Sequence, residues 1–557
     1  MSVLNNSIIR LNPISLPREW AHGRARKSPF FLLLILSAAL LTGLILLVPA
    51  YLLLRAVSAG QNTLDTLLSP RTWAVLGNTL LLAGSVTLAG TAVALPLAWL
   101  TTMTDLPGKR LWAVLAALPL VLPSYVAAFV YVSILTPKGL LQQILHPLTG
   151  IERLPSPFGF AGAFFVLTLI SYPYVFLTAR AALKRMDPSL AEAARSLGAS
   201  PWSAFWRVTL PYLRPSLIAG GLLVALYVLR DFGAVTMLQY STFTRILYNR
   251  YQAYQLDTAA VLALVLVAVT AVILTLEQRS RGNNRYARLS SGAGRQHPIT
   301  RLGVWKAPAL AFVGSVVFFS LLVPVAGLAY WFWRGWNQDF AVRDLTAPQN
   351  NLHSISSLLQ PAFNSLSASL LGALLAVALA LPVAILVVRR PGKLSRFFEQ
   401  VTYASFALPG IVVALAFVFF GTNYARSLYQ TLPMMLAAYV ILFIPQAVGA
   451  QRASLLQVPP SLEEAGRSLG KRPFANFRAI TLPLVRPGIL AGGALVFLTC
   501  MKELPATLIL SPLGFSTLAA QIWSSIGEAF FARAAAPTLL LLLLSSVPLA
   551  ILTLRDK

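Results

Sequence analysis

Two charged pairs interrupt apolar runs of the sequence, Arg230-Asp231 and Lys502-Glu503. Ionisable residues inside such runs are costly in a bilayer and usually serve a function there. Carboxylate oxygens suit a hard cation, so Asp231 and Glu503 are candidate transient metal ligands, and all four residues are candidates for the wall of a solute pathway. The alternative is that both pairs lie at the membrane interface, where long side chains reach water and carry no function.

A second set of polar residues belongs to a stretch that the chain contains twice. Residues 188–221 and 460–493 align without a gap, and they share Pro-Ser-Leu, Arg-Ser-Leu-Gly, Thr-Leu-Pro, Arg-Pro and Ala-Gly-Gly. Each copy predicts a short helix that starts at a proline, stops at a glycine and is followed by another short helix. Flanking basic residues place this helix–turn–helix, which we call the first or second elbow, on the cytoplasmic side of the next span. An elbow either only reverses the chain or docks a partner, and its duplication favours docking.

The elbows resemble the signature of the membrane subunits of ATP-binding-cassette importers that work with a binding protein. That signature reads Glu-Ala-Ala, three residues, Gly, nine residues, Ile, one residue and Leu-Pro. The first elbow departs from it by Val208 in place of Ile, and the second by Gly466 in place of the second Ala. The positions that carry the resemblance are Glu192, Ala193, Ala194, Gly198, Leu210 and Pro211, and then Glu464, Ala465, Gly466, Gly470, Leu482 and Pro483.

This resemblance implies that the elbows dock an ATPase. In the family the helix inserts into a groove of the ATPase subunit, so Glu192 and Glu464 would anchor the contact and Gly198 and Gly470 would form its sharp turn. The implied partners are a cytoplasmic ATPase homodimer and a periplasmic solute-binding protein. A competing interpretation is that each glutamate only pairs with the arginine three residues further along its helix, which contributes about 0.2–0.5 kcal/mol.

Further segments resemble fused ferric-iron importer permeases. Residues 502–508 and 514–519 look like part of the second half of such a permease, and residues 231–233 and 242–244 look like the corresponding part of the first half. The resemblance covers nearly the whole chain, and it implies ferric iron as the cargo. Fused permeases for thiamine and for phosphonate have the same organisation and stay open as alternatives.

The composition is that of an integral membrane protein. Of the 557 residues, 57% are hydrophobic and only 11% are charged, whereas soluble domains contain about 25% charged residues. The net charge of +27 arises from Arg and Lys clusters between apolar runs, on one predicted side of the membrane. This positive-inside pattern explains the charge without a nucleic acid partner. The single cysteine, Cys500, excludes an internal disulfide and a cysteine-based metal cluster.

The apolar runs predict twelve membrane-spanning helices. An even number places both termini on the same side, and the basic residues at both ends predict that this side is the cytoplasm. The predicted spans are about 29–54, 74–102, 111–135, 159–183, 212–236 and 257–277, and then 308–333, 365–388, 399–420, 431–450, 484–510 and 534–554.

The internal repeat extends beyond the elbows and divides the chain. Asn78 matches Asn364, and Leu122-Pro123 matches Leu408-Pro409, both at an offset of 286 positions, whereas the elbows and charged pairs match at 272. Two halves in the same orientation predict a pseudo-two-fold axis along the membrane normal, which solute paths follow. The predicted parts are a cytoplasmic tail at 1–28, a first permease repeat at 29–278, a cytoplasmic linker at 279–306 and a second permease repeat at 307–557.

The expected fold is an all-α polytopic membrane protein with about twelve transmembrane helices in two parallel six-helix repeats, which the resemblance identifies as the type I ABC importer permease fold. A phosphate-binding loop is missing, because the closest segment, residues 466–472, has the wrong spacing. The chain is therefore predicted to be a transport subunit in the bacterial inner membrane, in contact with lipid, that catalyses no reaction and uses no cofactor. An ion-coupled secondary transporter would leave the duplicated elbow unexplained, and a channel or scaffold would leave the charged pairs unexplained.

Overall fold

The protein is built from helices throughout the part of the chain that the computed structural model describes. Within those residues the only β contact is an isolated bridge between Thr104 and Thr300. The prediction of an all-α protein is thus confirmed. The predicted tail at 1–28, most of the predicted linker and the last two residues lie outside the described part. The described residues are 29–137, 139–198, 200–280, 299–337 and 355–555.

The helices of the first half are α1 (Pro29–Ser58), α2 (Gln61–Leu68), α3 (Pro70–Met103), α4 (Lys109–Leu115), α5 (Ser124–Leu135), α6 (Leu140–Thr149), α7 (Phe160–Arg185), α8 (Pro188–Ser196), α9 (Pro201–Ala204), α10 (Leu210–Arg230), α11 (Gly233–Met237), α12 (Phe243–Gln252) and α13 (Leu256–Ser280). Those of the second half are α14 (Lys306–Val317), α15 (Val323–Asn337), α16 (Ile355–Arg389), α17 (Lys393–Ala404), α18 (Gly410–Tyr424), α19 (Leu432–Gln457), α20 (Pro460–Ser468), α21 (Pro473–Asn476), α22 (Leu482–Met501), α23 (Pro505–Leu510), α24 (Leu518–Gly527) and α25 (Phe531–Arg555).

Length and apolar composition allow ten of the described helices, or runs of adjoining helices, to cross a membrane. The count rises to eleven if α17 and α18, which form a bent pair, make one span. The last of the twelve predicted spans lies on α25, whose described apolar part, Phe531–Ser546, is shorter than the others. The chain is therefore a multi-pass membrane protein. Its described residues contain ten to eleven spans by these criteria, where the sequence predicts twelve.

The predicted third span of each half is broken rather than continuous. Span 111–135 divides into α4, a 3-10 turn at Leu118–Val121 and α5. Span 399–420 bends by 106° between α17 and α18. Both breaks fall at the matched Leu122-Pro123 and Leu408-Pro409, because proline lacks an N–H group and disfavours helical geometry in the residue before it.

The predicted fifth spans, 212–236 and 484–510, are broken as well. The second of them stops after α22 and resumes with Pro505, as the proline predicts. The first stops after α10 and resumes as α11 at Gly233, although no proline marks this position. In both halves the break contains the carboxylate of the charged pair.

The first helices of each half pack against the other half as well as against their own. In the first half α3, α7 and α10 pack against one another, as α16, α19 and α22 do in the second. The first helix, α1, contacts α16, α17 and α18 of the other half, and α14 and α15 contact α3, α4 and α5 in return. The outer face of α1 exposes leucines such as Leu36 and Leu40, at 61% and 71%, which suit contact with lipid.

The end of the predicted linker is attached to the first half. The Thr300 N–H donates to the Met103 carbonyl at 2.8 Å, and the Thr300 carbonyl accepts from the Asp105 N–H at 3.2 Å. The Asp105 carboxylate accepts from the Leu302 N–H at 2.8 Å and pairs with the Lys306 ammonium at 2.9 Å. The last residues of the predicted linker are therefore fixed to the end of α3.

We predict that this attachment depends on the Asp105–Lys306 ion pair. The Lys306 ammonium and then the Leu302 N–H lower the pKa of the Asp105 carboxyl. The contact therefore stabilises the attached state above the ordinary carboxyl pKa and is lost as the pH falls through the lowered value. Asp105→Asn should speed cleavage near residue 300 by a nonspecific protease at neutral pH.

The partner variant Lys306→Gln provides the control. Because both changes remove the same ion pair, the double variant should be cleaved no faster than either single variant. Additive acceleration would show that the two residues act separately.

Candidate functional site

A cavity of about 200 Å³ lies between the two halves. Both charged pairs line it, one at the end of α10 and the other just after α22. The structure thus brings together the four candidate pathway residues, and it places them between the halves instead of at a lipid-facing surface. The side chains that complete the wall include Tyr125, Tyr174, Tyr227, Phe443, Gln446 and Thr499.

The two cations of the cavity bind backbone carbonyls of the opposite half. The Arg230 guanidinium donates to the Phe406 carbonyl at 3.2 Å, and the Lys502 ammonium donates to the Leu120 carbonyl at 3.0 Å. Leu120 and Phe406 are equivalent positions, 286 residues apart, and each lies in the 3-10 turn before a proline break. The two hydrogen bonds are therefore reciprocal across the pseudo-two-fold axis. Sequence reasoning missed both carbonyls, since no side chain marks them.

The two carboxylates cap the short helices that follow the breaks. The Asp231 carboxylate accepts from the N–H groups of Ala234 and Val235 at 3.0 and 3.2 Å. The Glu503 carboxylate accepts from the Ala506 N–H at 3.1 Å. Carboxylates at such positions satisfy N–H groups that have no partner within the helix. Both residues thus have a structural role that the sequence interpretation did not include.

The residues beside the two carboxylates differ in size between the halves, in the opposite direction to the carboxylates themselves. Ser124 lies beside both the Asp231 carboxylate and the Tyr227 hydroxyl. In the second half Gly410 occupies the position equivalent to Ser124, and a Cβ atom there would lie 2.5 Å from the Glu503 carboxylate. The longer carboxylate therefore occupies the space that the missing serine side chain leaves.

The elbows have the predicted form. Helices α8 and α20 end just before Gly198 and Gly470, whose φ angles of +87° and +80° favour glycine. A one-turn helix and a π-helical turn then lead into α10 and α22, which begin with the matched Leu-Pro pairs. The π-helical turns were not predicted, because the sequence shows no signal for them.

The anchor positions of the elbows are accessible. Glu192 is half-buried and Glu464 is exposed, and the alanines that follow them, Ala193 and Ala465, are both exposed. Among the described residues, neither glutamate forms an ion pair, so the competing interpretation of local pairing with arginine is not supported. Their carboxylates are available to a partner.

The glycine that departs from the signature has a packing cause. A Cβ atom at Gly466 would lie 2.0 Å from the Asn476 side-chain oxygen and 2.6 Å from Ile480. In the first elbow the equivalent residues are Ala194 and Ala204, so a small side chain replaces the asparagine there. Glycine at position 466 therefore makes room for the larger Asn476 side chain, and the second elbow keeps the same form as the first.

The comparisons with known proteins agree with this organisation. The family model described as a binding-protein-dependent transport system inner membrane component matches residues 87–279 and again residues 358–557. Each matched region contains one elbow and one charged pair of the cavity. The two matches thus reproduce the internal repeat.

Individual relatives match either the whole chain or one half. The Fe(3+)-transport system permease protein FbpB 2 of Haemophilus influenzae is 35% identical over 95% of this chain and 98% of its own. The ferric transport system permease protein FbpB of Actinobacillus pleuropneumoniae is 25% identical over 78% of this chain and 64% of its own. The sulfate transport system permease protein CysT of Escherichia coli is 28% identical over 46% of this chain and 95% of its own. One half of the chain thus corresponds to a complete permease unit.

The exchange around the carboxylates gives a prediction for stability. Gly410→Ser should lower the thermal midpoint of the detergent-solubilised protein, because overpacking a tight site costs about 1–3 kcal/mol. Adding Glu503→Asp should restore the midpoint, since the double variant recreates the serine–aspartate pair of the first half. Size-exclusion chromatography after heating gives the midpoint.

The single variant Glu503→Asp is the matched control, and it should also lower the midpoint because it leaves a gap beside Gly410. A double variant whose loss equals the sum of the two single losses would contradict the proposed fit.

Proposed function

The chain belongs to the family of binding-protein-dependent transport system inner membrane components, and we propose from that premise that it carries ferric iron across the bacterial inner membrane. It is the permease component of an ATP-binding-cassette importer, with two permease units in one polypeptide. In our proposal a periplasmic solute-binding protein delivers the cargo, and a separate cytoplasmic ATPase homodimer drives the transport. The chain itself catalyses no reaction.

The cavity between the halves is the observation that carries this proposal. It lies where a pseudo-two-fold axis would place a solute path, and each half contributes one cation and one carboxylate to it. Asp231 and Glu503 would offer oxygen atoms to a hard cation in transit. We therefore assign the cavity to the solute pathway in its closed state.

The elbows support the ATPase as partner. Their helices project accessible glutamate and alanine side chains beyond the spans, and the sharp turn after each helix joins it to α10 or α22, the helices that end at the cavity. A push on an elbow would therefore reach the charged pairs along a single helix. This geometry suits a coupling between an ATPase and a solute path.

The basic residues support a topology with both termini in the cytoplasm. Arg and Lys cluster at the elbows and around the linker, and positively charged segments stay on the cytoplasmic side. The same orientation places the loops between α1 and α3 and between α5 and α7 outside, where a binding protein would dock.

A second candidate cargo is an oxyanion. Its support is the similarity of one half to a sulfate permease, together with the cationic groups of Arg230 and Lys502 in the cavity. The similarity to Fe(3+)-transport permeases extends over nearly the whole chain, and this favours ferric iron. Uptake of radiolabelled iron and sulfate by vesicles that contain the complete transporter separates the two.

Charge reversal at the elbows tests the docking role. Glu192→Lys together with Glu464→Lys should abolish co-purification of the ATPase and all uptake, because the anchoring carboxylates are replaced by groups of opposite charge. Insertion into the membrane should be unchanged. Val304→Lys, an exposed position at the end of the linker, on the cytoplasmic side and outside the elbows, controls for the added positive charge. Full ATPase recovery with the double variant would remove the docking proposal.

Neutral replacements test the pathway role. Asp231→Asn with Glu503→Gln keeps an oxygen that can accept the capping hydrogen bonds but removes both charges. If the carboxylates meet a bare cation, iron uptake should fall about tenfold or more, which corresponds to a loss of at least about 1.4 kcal/mol. ATPase binding should persist.

Thr499→Val, a neutral change in the wall of the same cavity, is the control. Normal iron uptake by the doubly neutral variant would limit Asp231 and Glu503 to helix capping and would exclude a bare cation as the cargo.

A further inference from the structure

A half-buried ion pair fastens the second elbow to the body of the protein. Arg389 is the last residue of α16, and Glu463 lies in the elbow helix α20. The Arg389 Nε atom and the Glu463 Oε1 atom are 3.0 Å apart, and the two side chains are only 14% and 15% exposed. Such a pair is shielded from water, so it constrains geometry more than an exposed surface pair does.

Neighbouring hydrogen bonds complete a clamp around this ion pair. A second Arg389 nitrogen donates to the Val458 carbonyl at 3.0 Å, just before α20. The Thr481 hydroxyl donates to the Glu463 carboxylate at 3.0 Å, one residue before α22 begins. The Asn476 side-chain amide donates to the Glu463 carbonyl at 2.9 Å. Glu463 thus joins α16, the elbow helix and the start of the helix that leads to the cavity.

Aromatic contacts hold the same elbow from another direction. The ring of Phe30, near the start of α1, lies 6.0 Å from the ring of Phe474 and 5.6 Å from the ring of Phe477. Since α1 belongs to the first half, the second elbow is fixed by helices of both halves.

The first elbow lacks the residues needed for such a clamp. Ala191 occupies the position of Glu463, Met103 the position of Arg389, and Ala204 the position of Asn476. Only Thr209 keeps the counterpart of Thr481. Alanine and methionine side chains form no ion pair, so the difference follows from residue type.

We infer that Arg389 and Glu463 are positioning residues that make the second elbow a rigid lever, whereas the first elbow is a compliant one. This inference rests on the proposed docking of an ATPase to both elbows. Movement of the ATPase at the second elbow passes to α22 through the clamp as well as through the chain. At the first elbow it passes to α10 without an ion pair at the positions equivalent to Arg389 and Glu463, because Met103 and Ala191 stand there. The two docking sites of one polypeptide therefore contribute unequally to transport.

The test compares Glu463→Gln with its neighbour Glu464→Lys in the assembled transporter. Glu463→Gln removes the charge of the clamp, so the ATPase should still co-purify while the iron transported per ATP hydrolysed falls. The expected fall is about 5-fold or more, since coupling free energies between sites are typically 1–3 kcal/mol. Arg389→Met should lower the iron transported per ATP hydrolysed to the same extent. Arg389→Lys, which keeps the positive charge, should restore part of this loss. Glu464→Lys should instead reduce ATPase binding.

The outcomes separate the inference from the docking proposal. Failure of the ATPase to co-purify with the unmodified chain would remove the proposed function itself. Normal transport per ATP in Glu463→Gln, with the ATPase bound, would overturn the lever inference alone. A thermal midpoint measured for each variant identifies any that fails to fold. For that case the reverse design, Ala191→Glu with Met103→Arg in an otherwise unmodified chain, adds a clamp to the first elbow. It should raise the iron transported per ATP hydrolysed, and an unchanged ratio in the folded variant would overturn the inference.

Discussion

The structure depends on one constraint, that every polar group inside a bilayer needs a partner within the protein. Four breaks in the spanning helices release backbone N–H and carbonyl groups near the centre of the molecule, and the four charged residues of the cavity bind them. The carboxylates take the N–H groups that open α11 and α23. The cations take the carbonyls of the 3-10 turns in the opposite half. The charges and the breaks are therefore two parts of the same arrangement.

Most of the fold was predictable because the relevant signals are local or repeated. Apolar runs of about 20 residues, the Leu-Pro pairs and the duplicated elbow indicate spans, breaks and two equivalent halves. The sequence also identified the charged pairs, and the symmetry of the repeat made them candidates for the wall of one solute pathway. It did not reveal the capping role of Asp231, because the break before Gly233 contains no proline. It likewise did not reveal which carbonyls the cations bind, because every residue has a backbone carbonyl and its side chain does not indicate whether that carbonyl accepts a hydrogen bond.

The differences between the halves are as informative as the matches. Gly410 accompanies the longer Glu503 where Ser124 accompanies Asp231, and Gly466 accompanies Asn476 where two alanines stand in the first elbow. In both cases one side chain grows as its neighbour shrinks, so the packed volume is kept. A close-packed interior requires such compensation, since one extra methylene group already forces strain. Fusion into one chain permits this specialisation, because each half meets only one partner half.

The reciprocal bonds also set what any opening of the cavity requires. If the halves move apart at this level, both the Arg230 and the Lys502 hydrogen bond must break, because each joins one half to the other. Hydrogen bonds to charged groups contribute about 1.5–3 kcal/mol each, so the closed arrangement is favoured by about 3–6 kcal/mol from this source. Without a bound ATPase, the open arrangement would then be a minor state. A coupling free energy of about 1–3 kcal/mol between the ATPase and the cavity, supplied at each of the two elbows, would be large enough to populate it. Helix α10 leads from the first elbow to Arg230, and α22 leads from the second elbow to Lys502. Each helix therefore connects a site where an ATPase would push with one of the hydrogen bonds that must break.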